Sequence, residues 1–345
     1  MTQPHDELPL AGLKVIEMHA IGPVPFAGMV LRSLGAEVTR VSPPADPGLG
    51  VPMKNDHDLL NAGKLALPID LKAADGMQAL HSRLADADVL LEGWRPGVLE
   101  RLGLAPADLL ARYPRLVIGR LSGWGTRGEY AALAGHDINY LALAGVLHAV
   151  GPAERPVPPL NLVADFGGGA MHLLLGVLAK LVRRSVSGKG GAVETSILAG
   201  TVGLTPMFYG MIASGLWNLK RENNILDGAA PFYRVYRTRD DRFVAVGAIE
   251  AKFYAQLVQV MGLSGEIDLA RQFDRASWPA TIERFAARFA EKTRDEWGAL
   301  STTCDCCLAP VLDYVEAARH PHNLAMGLYA ETPIAKPART IGFPA

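Results

Sequence analysis

Between Leu13 and Arg120 the chain alternates short apolar runs with stretches of helical period, and this alternation constrains the fold more than any other feature. Leu13-Lys-Val-Ile-Glu17 has the pattern of a strand. Phe26 to Leu34 has that of an apolar-periodic helix, Gly35-Ala-Glu37 turns the chain, and Val38-Thr-Arg-Val41 reads as a second strand. Strand–helix–strand is the unit of a parallel sheet, because parallel neighbours need a crossover between them. The series continues with a helix over Ala74–Leu84, a strand over Asp88–Glu92, a helix over Ala105–Ala111 and a strand over Leu116–Arg120. An α/β fold follows: an open, mostly parallel, Rossmann-like sheet with helices on both faces.

Further along, His136–His148 and Gly168–Arg184 read as helices, Gly188-Lys-Gly-Gly191 as a turn and Ala192–Ser196 as a short strand. From about Pro231 the character changes. Phe232–Arg237 and Arg242–Gly247 alternate like a hairpin around Arg239-Asp-Asp241, followed by helices near Lys252–Met261 and Trp278–Lys292 and a strand at Cys307–Asp313. That is a smaller α+β unit. With 345 residues, a large domain plus a small one is expected. The boundaries read as 1–195 for the large domain, 196–230 for linker helices and 231–322 for the small domain. Residues 323–345 read as an extended, proline-rich C-terminal tail returning to the large domain.

The formal net charge is −1, so no basic surplus offers itself to nucleic acid or anionic lipid, and an anionic ligand must be held by a local cluster. The first residues lack a basic region followed by an apolar run. Thr195–Leu219 carries no charge, but its glycines and Pro206 read as two buried or interface helices broken near the proline, not as a membrane span. Cys304, Cys306 and Cys307 lie within four positions; they form no disulfide framework, fit a reducing cytoplasm, and read as buried thiols rather than half a metal site. After the first strand comes His19-Ala-Ile-Gly22-Pro-Val-Pro25, with one glycine and two prolines where a dinucleotide fold needs Gly-x-Gly-x-x-Gly. A phosphate-binding P-loop pattern is missing as well. Phe166-Gly-Gly-Gly169 reads as a helix start that lets something come close.

Four segments set ionisable residues amid apolar or glycine-rich neighbours: Ala134-Gly-His136-Asp137-Ile-Asn-Tyr140, Asn161-Leu-Val-Ala-Asp165-Phe-Gly-Gly-Gly169, Leu226-Asp227-Gly-Ala-Ala-Pro231 and Val246-Gly-Ala-Ile-Glu250-Ala-Lys-Phe-Tyr254. A carboxylate in such company is costly unless it is paired or used. From the residues alone, helix capping and chemistry both stand for His136, Asp137 and Asp165. Glu250 equally fits a surface position after a strand. Spacing does not bring these groups together.

The same segments carry a resemblance. With Leu34-Gly-Ala-Glu-Val-Thr-Arg40, Asn61-Ala-Gly-Lys64, Asp70-Leu-Lys72, Glu92-Gly-Trp-Arg-Pro-Gly97, Glu100-Arg-Leu-Gly-Leu104 and Ser122-Gly-Trp-Gly125, the chain resembles the family III CoA-transferase superfamily and, within it, the α-methylacyl-CoA racemases, from about Leu10 to the tail. The resemblance implies an interlocked homodimer, an acyl-CoA substrate, and an active site between the large domain of one subunit and the small domain of the other. It implies no cofactor beyond the CoA moiety of the substrate. The transferases use an aspartate at the position of Asp165 as the acyl-accepting nucleophile; the racemases use it as one of two acid/bases and add a histidine at His136 and a glutamate at Glu250. This chain has both, and Leu226-Asp-Gly-Ala-Ala-Pro231 stands where many transferases carry a glycine run. Two departures are that 46–58 is longer than in many relatives and that Ala62 stands where an arginine is common.

Inverting a carbon next to a thioester requires proton removal on one face of an enolate and delivery on the other. The resemblance implies His136, oriented by Glu250, on one face and Asp165 on the other. Asp137 sits at an expected helix start, which offers its backbone N–H, with the helix dipole behind it, to the enolate oxygen. Arg40, Lys64, Arg95 and Arg101 are the implied CoA contacts. Met207, Phe208, Tyr209 and Met211 fit an acyl-chain wall and simple interface packing equally. The alternatives are a CoA transferase, epimerisation of a sterol side chain on the same residues, and thioester binding without turnover.

Overall fold

The structure, a computed structural model, describes residues 7–45, 47–330, 336–338 and 340–342. They form two compact units, one from the described parts of 1–147 and 158–207, the other from 148–157 and 208–342. The stretch expected as a linker, 196–230, divides between them.

The first unit is built on six parallel strands: β1 (Lys14–Met18), β2 (Glu37–Ser42), β3 (Leu65–Pro68), β4 (Val89–Glu92), β5 (Val117–Ser122) and β6 (Gly191–Ser196), in the order β3-β2-β1-β4-β5-β6. This is the doubly wound order, and it reverses direction between β1 and β4. Adjacent positions point to opposite faces, and both faces are filled. Val15, Val89, Leu91 and Val117 join one core, while Ile16, Met18, Leu90 and Ile118 join the other. The helices α1 (Pro23–Ser33), α2 (Ala74–Leu84), α3 (Val98–Arg101) and α4 (Pro106–Arg112) follow the early strands. α2 has the expected bounds. β3 has no counterpart in the sequence reading: its four residues, mostly exposed and ending on Pro68, carry no alternation to read.

The long connection from β5 to β6 holds the site. It contains α5 (Asp137–Leu143), α6 (Val146–Ala149), a 3-10 turn (Leu160–Leu162), a π-helical segment (Val163–Ala170) and α7 (Met171–Ser187). Helical structure thus begins ahead of Gly168, the expected start, so Asp165 lies inside the helical stretch and does not cap it. Residues 160–187 pass the length and composition test for a membrane-crossing helix, yet Leu173, Leu174 and Val177 are buried in the sheet's core. α8 (Ile197–Gly203) packs on the π segment so tightly that a Cβ on Gly200 would meet the Gly168 carbonyl at 1.9 Å. α9 (Pro206–Ala213) follows the break before Pro206, with Met207 and Tyr209 exposed.

The second unit carries the antiparallel sheet β7 (Tyr233–Arg237), β8 (Phe243–Gly247) and β9 (Leu308–Pro310). α10 (Ala251–Val260), α11 (Trp278–Phe289) and α12 (Arg294–Ser301) bury Tyr254, Phe285, Phe289 and Trp297 in one aromatic core with Phe232 and Tyr236. α13 (Tyr314–Arg319), α14 (Pro321–Ala325) and the two-residue strands β10 (Tyr329–Ala330) and β11 (Lys336–Pro337) complete it. Residues 331–335, 339 and 343–345, on which much of the expected tail falls, lie outside those described.

Candidate active site at the switch point of the sheet

Where the order of an open α/β sheet reverses, a crevice opens beyond the carboxyl ends of the strands. Here the loops after β1 and β4 flank that point. Trp94, after β4, ties them together by donating its indole N–H to the carbonyl of His19, after β1, at 2.9 Å. Glu92 Oε2 fixes the turn by accepting the Trp94 N–H at 2.8 Å, while Oε1 accepts from Arg120 Nε at 2.7 Å.

Asp165 stands at this place. A Cβ added to Gly22, in the β1 loop, would lie 3.4 Å from Asp165 Oδ2. Gly22 adopts φ 67° and ψ −110°, a conformation open to glycine. One residue on, Phe166 stacks on Phe26 of α1 with ring centroids 4.5 Å apart, locking the π segment to the first helix. The Asp165 carboxyl is half-buried, and burial raises it from its ordinary 3.8 to about 6. The Asp137 charge pushes the same way, while a hydrogen bond from Asn161 and the charge of His136 oppose it. A carboxyl poised there exchanges protons near neutrality.

His136 is the residue before α5, in extended conformation and exposed. Its N–H donates to Asn139 Oδ1 at 3.1 Å, and its carbonyl receives the Asn139 and Tyr140 N–H groups. Asp137 is buried, and its side chain does cap a helix, though not its own: Oδ2 accepts the backbone N–H groups of Ala164 at 3.1 Å and Asp165 at 2.8 Å. Tyr140, below it, donates to the Gly135 carbonyl at 2.7 Å and has its phenol pushed up to about 12 by burial, with Asp165 adding to the shift and Arg95 opposing it. Asp137 therefore bonds the Asp165 backbone from 28 residues away in sequence, and the charge of His136, 29 away, reaches the Asp165 carboxyl. Asn161 and Tyr140 join them. Asn161 precedes Asp165 by one helical turn, a spacing that could have signalled the contact.

The expected CoA contacts fare differently. Arg95 is exposed in the turn after β4, and Arg101 is exposed at the end of α3 with its guanidinium 3.0 Å from where a Gly97 Cβ would be. Arg40, on β2, is half-buried, and its Nε is a buried donor without a hydrogen-bond partner. Lys64 is engaged inside the fold. Its ammonium is interior, 1% exposed, with Glu17 Oε1 and Oε2 at 2.9 and 2.7 Å, the Pro25 carbonyl at 2.9 Å and Asn61 Oδ1 at 3.1 Å. Four acceptors around three N–H donors leave nothing for a phosphate. Glu17 itself gave no sign in sequence, sitting as it does in an apolar strand run.

Within the second unit, Glu250 is exposed immediately before α10, and its carboxylate makes no hydrogen bond to that helix's first turn. Gln272 Nε2 holds the preceding loop through the carbonyls of Ala248 and Ile249, at 3.2 and 2.7 Å. Cys307 lies near Glu250, and burial, Asp305 and Glu250 all raise its thiol. Asp227 is structural: its carboxylate accepts from the N–H groups of Asn223, Asn224 and Ala229 and from Asn224 Nδ2.

Sheet order and site thus define an α/β protein with a half-buried carboxyl, Asp165, and a buried one, Asp137, gathered at the carboxyl ends of its strands. The chain belongs to the CoA-transferase family III, whose family model matches residues 10–345. It is 45% identical over 315 residues to the alpha-methylacyl-CoA racemase of Mus musculus, covering 91% of this chain and 80% of that protein. To the alpha-methylacyl-CoA racemase of Homo sapiens it is 42% identical over 321 residues, covering 93% and 82%. A CAIB/BAIF family protein from Brucella suis shares the fold, with a TM-score of 0.80 at 23% identity over 97% of this chain and 93% of that one.

Proposed function

We propose that this chain is a racemase of 2-methylacyl-CoA thioesters working by 1,1-proton transfer. One group takes the α-proton and leaves an enolate of the thioester; the other returns a proton to the opposite face. Asp165 serves one face and His136 the other. The observation that carries the reading is the half-buried Asp165 carboxyl at the switch point, facing Gly22, held at about 6 and within reach of the His136 charge. The two racemases at 45% and 42% identity support it.

Glu250 is assigned to orient His136 and to stabilise its charged form, supplied by a second copy of the chain in an interlocked homodimer. The family pattern supports this, as does a carboxylate uncommitted to its own helix. The Asp137 N–H, at the start of α5, is assigned to the enolate oxygen. Arg40, Arg95 and Arg101 are assigned to the CoA moiety, which is the only cofactor the reaction requires, and the site of action is the cytoplasm.

The test is incubation of the purified protein with 2-methylacyl-CoA in deuterium oxide without an acceptor acid, followed by NMR at the α-carbon. Deuterium incorporation with loss of optical purity is expected. Absence of exchange, together with movement of labelled CoA onto added carboxylic acids, overturns the racemase in favour of a transferase with Asp165 as nucleophile.

A further inference from the structure

Asp137 is the one buried carboxylate beside Asp165, and the proposed reaction uses only its backbone. Its side chain remains to be explained. The first N–H groups of any helix have no partner within it. At the start of the π segment the preceding residue, Leu162, has no side-chain acceptor to offer. Asp137 fills the gap from another helix, with Oδ2 on the N–H groups of Ala164 and Asp165. The second of these bonds, at 2.8 Å, is to the backbone of the proposed acid/base itself.

We infer that the Asp137 side chain is a positioning residue that fixes the backbone of Asp165 and sets the pH at which its carboxyl loses a proton. This deepens the racemase reading and rests on it for its catalytic consequence. Two effects act together. The hydrogen bonds hold the Asp165 backbone, and with it the carboxyl against Gly22. The charge acts through a partly desolvated space and opposes ionisation of its neighbour. Burial also raises Asp137, and its two backbone donors, from Asp165 and Ala164, act against that by favouring its charged form. The other groups facing Asp165 are Asn161, which favours its ionised form, His136 on α5, and Tyr140, itself influenced by Arg95. Asp137 is the only carboxylate among them.

Two substitutions separate the effects. Asp137→Asn removes the charge but keeps an oxygen for the two N–H donors. Asp137→Ala removes both. In Asp137→Asn the acidic limb of kcat/KM is expected to move to lower pH by about one unit, the size of an ordinary neighbouring-charge effect, with KM little changed. In Asp137→Ala kcat is expected to fall by ~10-fold or more beyond the asparagine variant, again with little change in KM. A direct readout needs no turnover: the carboxyl of Asp165 is titrated by NMR in protein labelled with 13C-aspartate, its resonance assigned through Asp165→Asn. A downward shift of that titration in Asp137→Asn supports the inference even if no racemisation is found, in which case the function alone is overturned. An unmoved titration midpoint in a folded Asp137→Asn protein overturns the inference, whatever the activity.

Discussion

Gly22 faces Asp165 across the switch point: a methyl group on the glycine would sit 3.4 Å from the carboxylate oxygen. The space above Asp165 on that side exists because Gly22 has no side chain, and the backbone there takes a φ of 67°. Gly22→Ala therefore meets a conformational cost and sets a methyl group in ordinary van der Waals contact with the Asp165 carboxyl. Stability is expected to fall by about 1–2 kcal/mol. Turnover should drop by ~10-fold or more, since small misplacements of reacting groups carry large rate penalties. Denaturant unfolding and steady-state kinetics on one preparation check both; full activity in the alanine variant would show that substrate approaches Asp165 from elsewhere.

Asp165 is expected to weaken the fold it serves. Its folded-state value, about 6, lies above its ordinary 3.8, so the folded protein holds this proton more tightly than the unfolded chain. Stability from this group is present below about pH 4 and is lost as pH rises through 6. Asp165→Asn should therefore raise stability at pH 7–8, by on the order of 1–2 kcal/mol given partial exposure, and should make little difference below pH 4. Thermal melts of both proteins across that range are the measurement.

Loss of His136 should separate exchange from inversion. With one acid/base gone, His136→Ala is expected to racemise ~100-fold or more slowly. Asp165 still serves its own face, so one enantiomer of substrate should continue to exchange its α-proton for deuterium without inverting. Equal loss of exchange from both enantiomers would argue that the two groups do not serve separate faces.

Lys64 is expected to behave as a core residue. Removing one member of a buried ion pair leaves a charge alone in the interior, which costs about 3–5 kcal/mol. Lys64→Met should accordingly unfold at far lower denaturant than the wild type, and Glu17→Met with Lys64→Met should recover much of the loss. Gly28→Ala should be as damaging as either single change, because its Cβ would fall 1.7 Å from Glu17 Oε2. A Lys64→Met protein of normal stability but raised KM would restore the phosphate role.

Arg40→Ala should raise the KM of the thioester more than it lowers kcat. Its Nε is buried and, among the described residues, meets no acceptor. Titration of binding with CoA alone gives the same answer without turnover.

Much of the first unit is legible in the sequence because burial on both faces gives its strands apolar runs and its helices a single apolar stripe. β3 escapes for the opposite reason: it is an edge strand with little buried. The acid/base residues stand out individually as polar groups in apolar company. What the chain does not spell is distance. The pairing of Glu17 with Lys64 spans 47 positions, and that of Asp137 with the Asp165 backbone spans 28. Both come from the parallel sheet and its crossover, where register rather than spacing decides who meets. The glycines at 167–169 mislead locally, reading as a helix start when they lie within one. The resemblance to a family named candidates that spacing could not, and Lys64 among them spends its ammonium on Glu17, Pro25 and Asn61.

The helical stretch carrying Asp165 is wound more loosely than an α-helix, and winding sets azimuth. Each residue of a regular α-helix turns the chain by about 100°. If the same eight residues, Val163–Ala170, tightened into regular form with none removed, composition would be unchanged. The tightening would nonetheless swing the Asp165 carboxyl through roughly a quarter-turn relative to α7, away from Gly22. The direction of that carboxyl thus hangs on how the chain is wound between Val163 and Ala170, and a variant wound as a regular helix would keep its fold while its acid faced the wrong compass point.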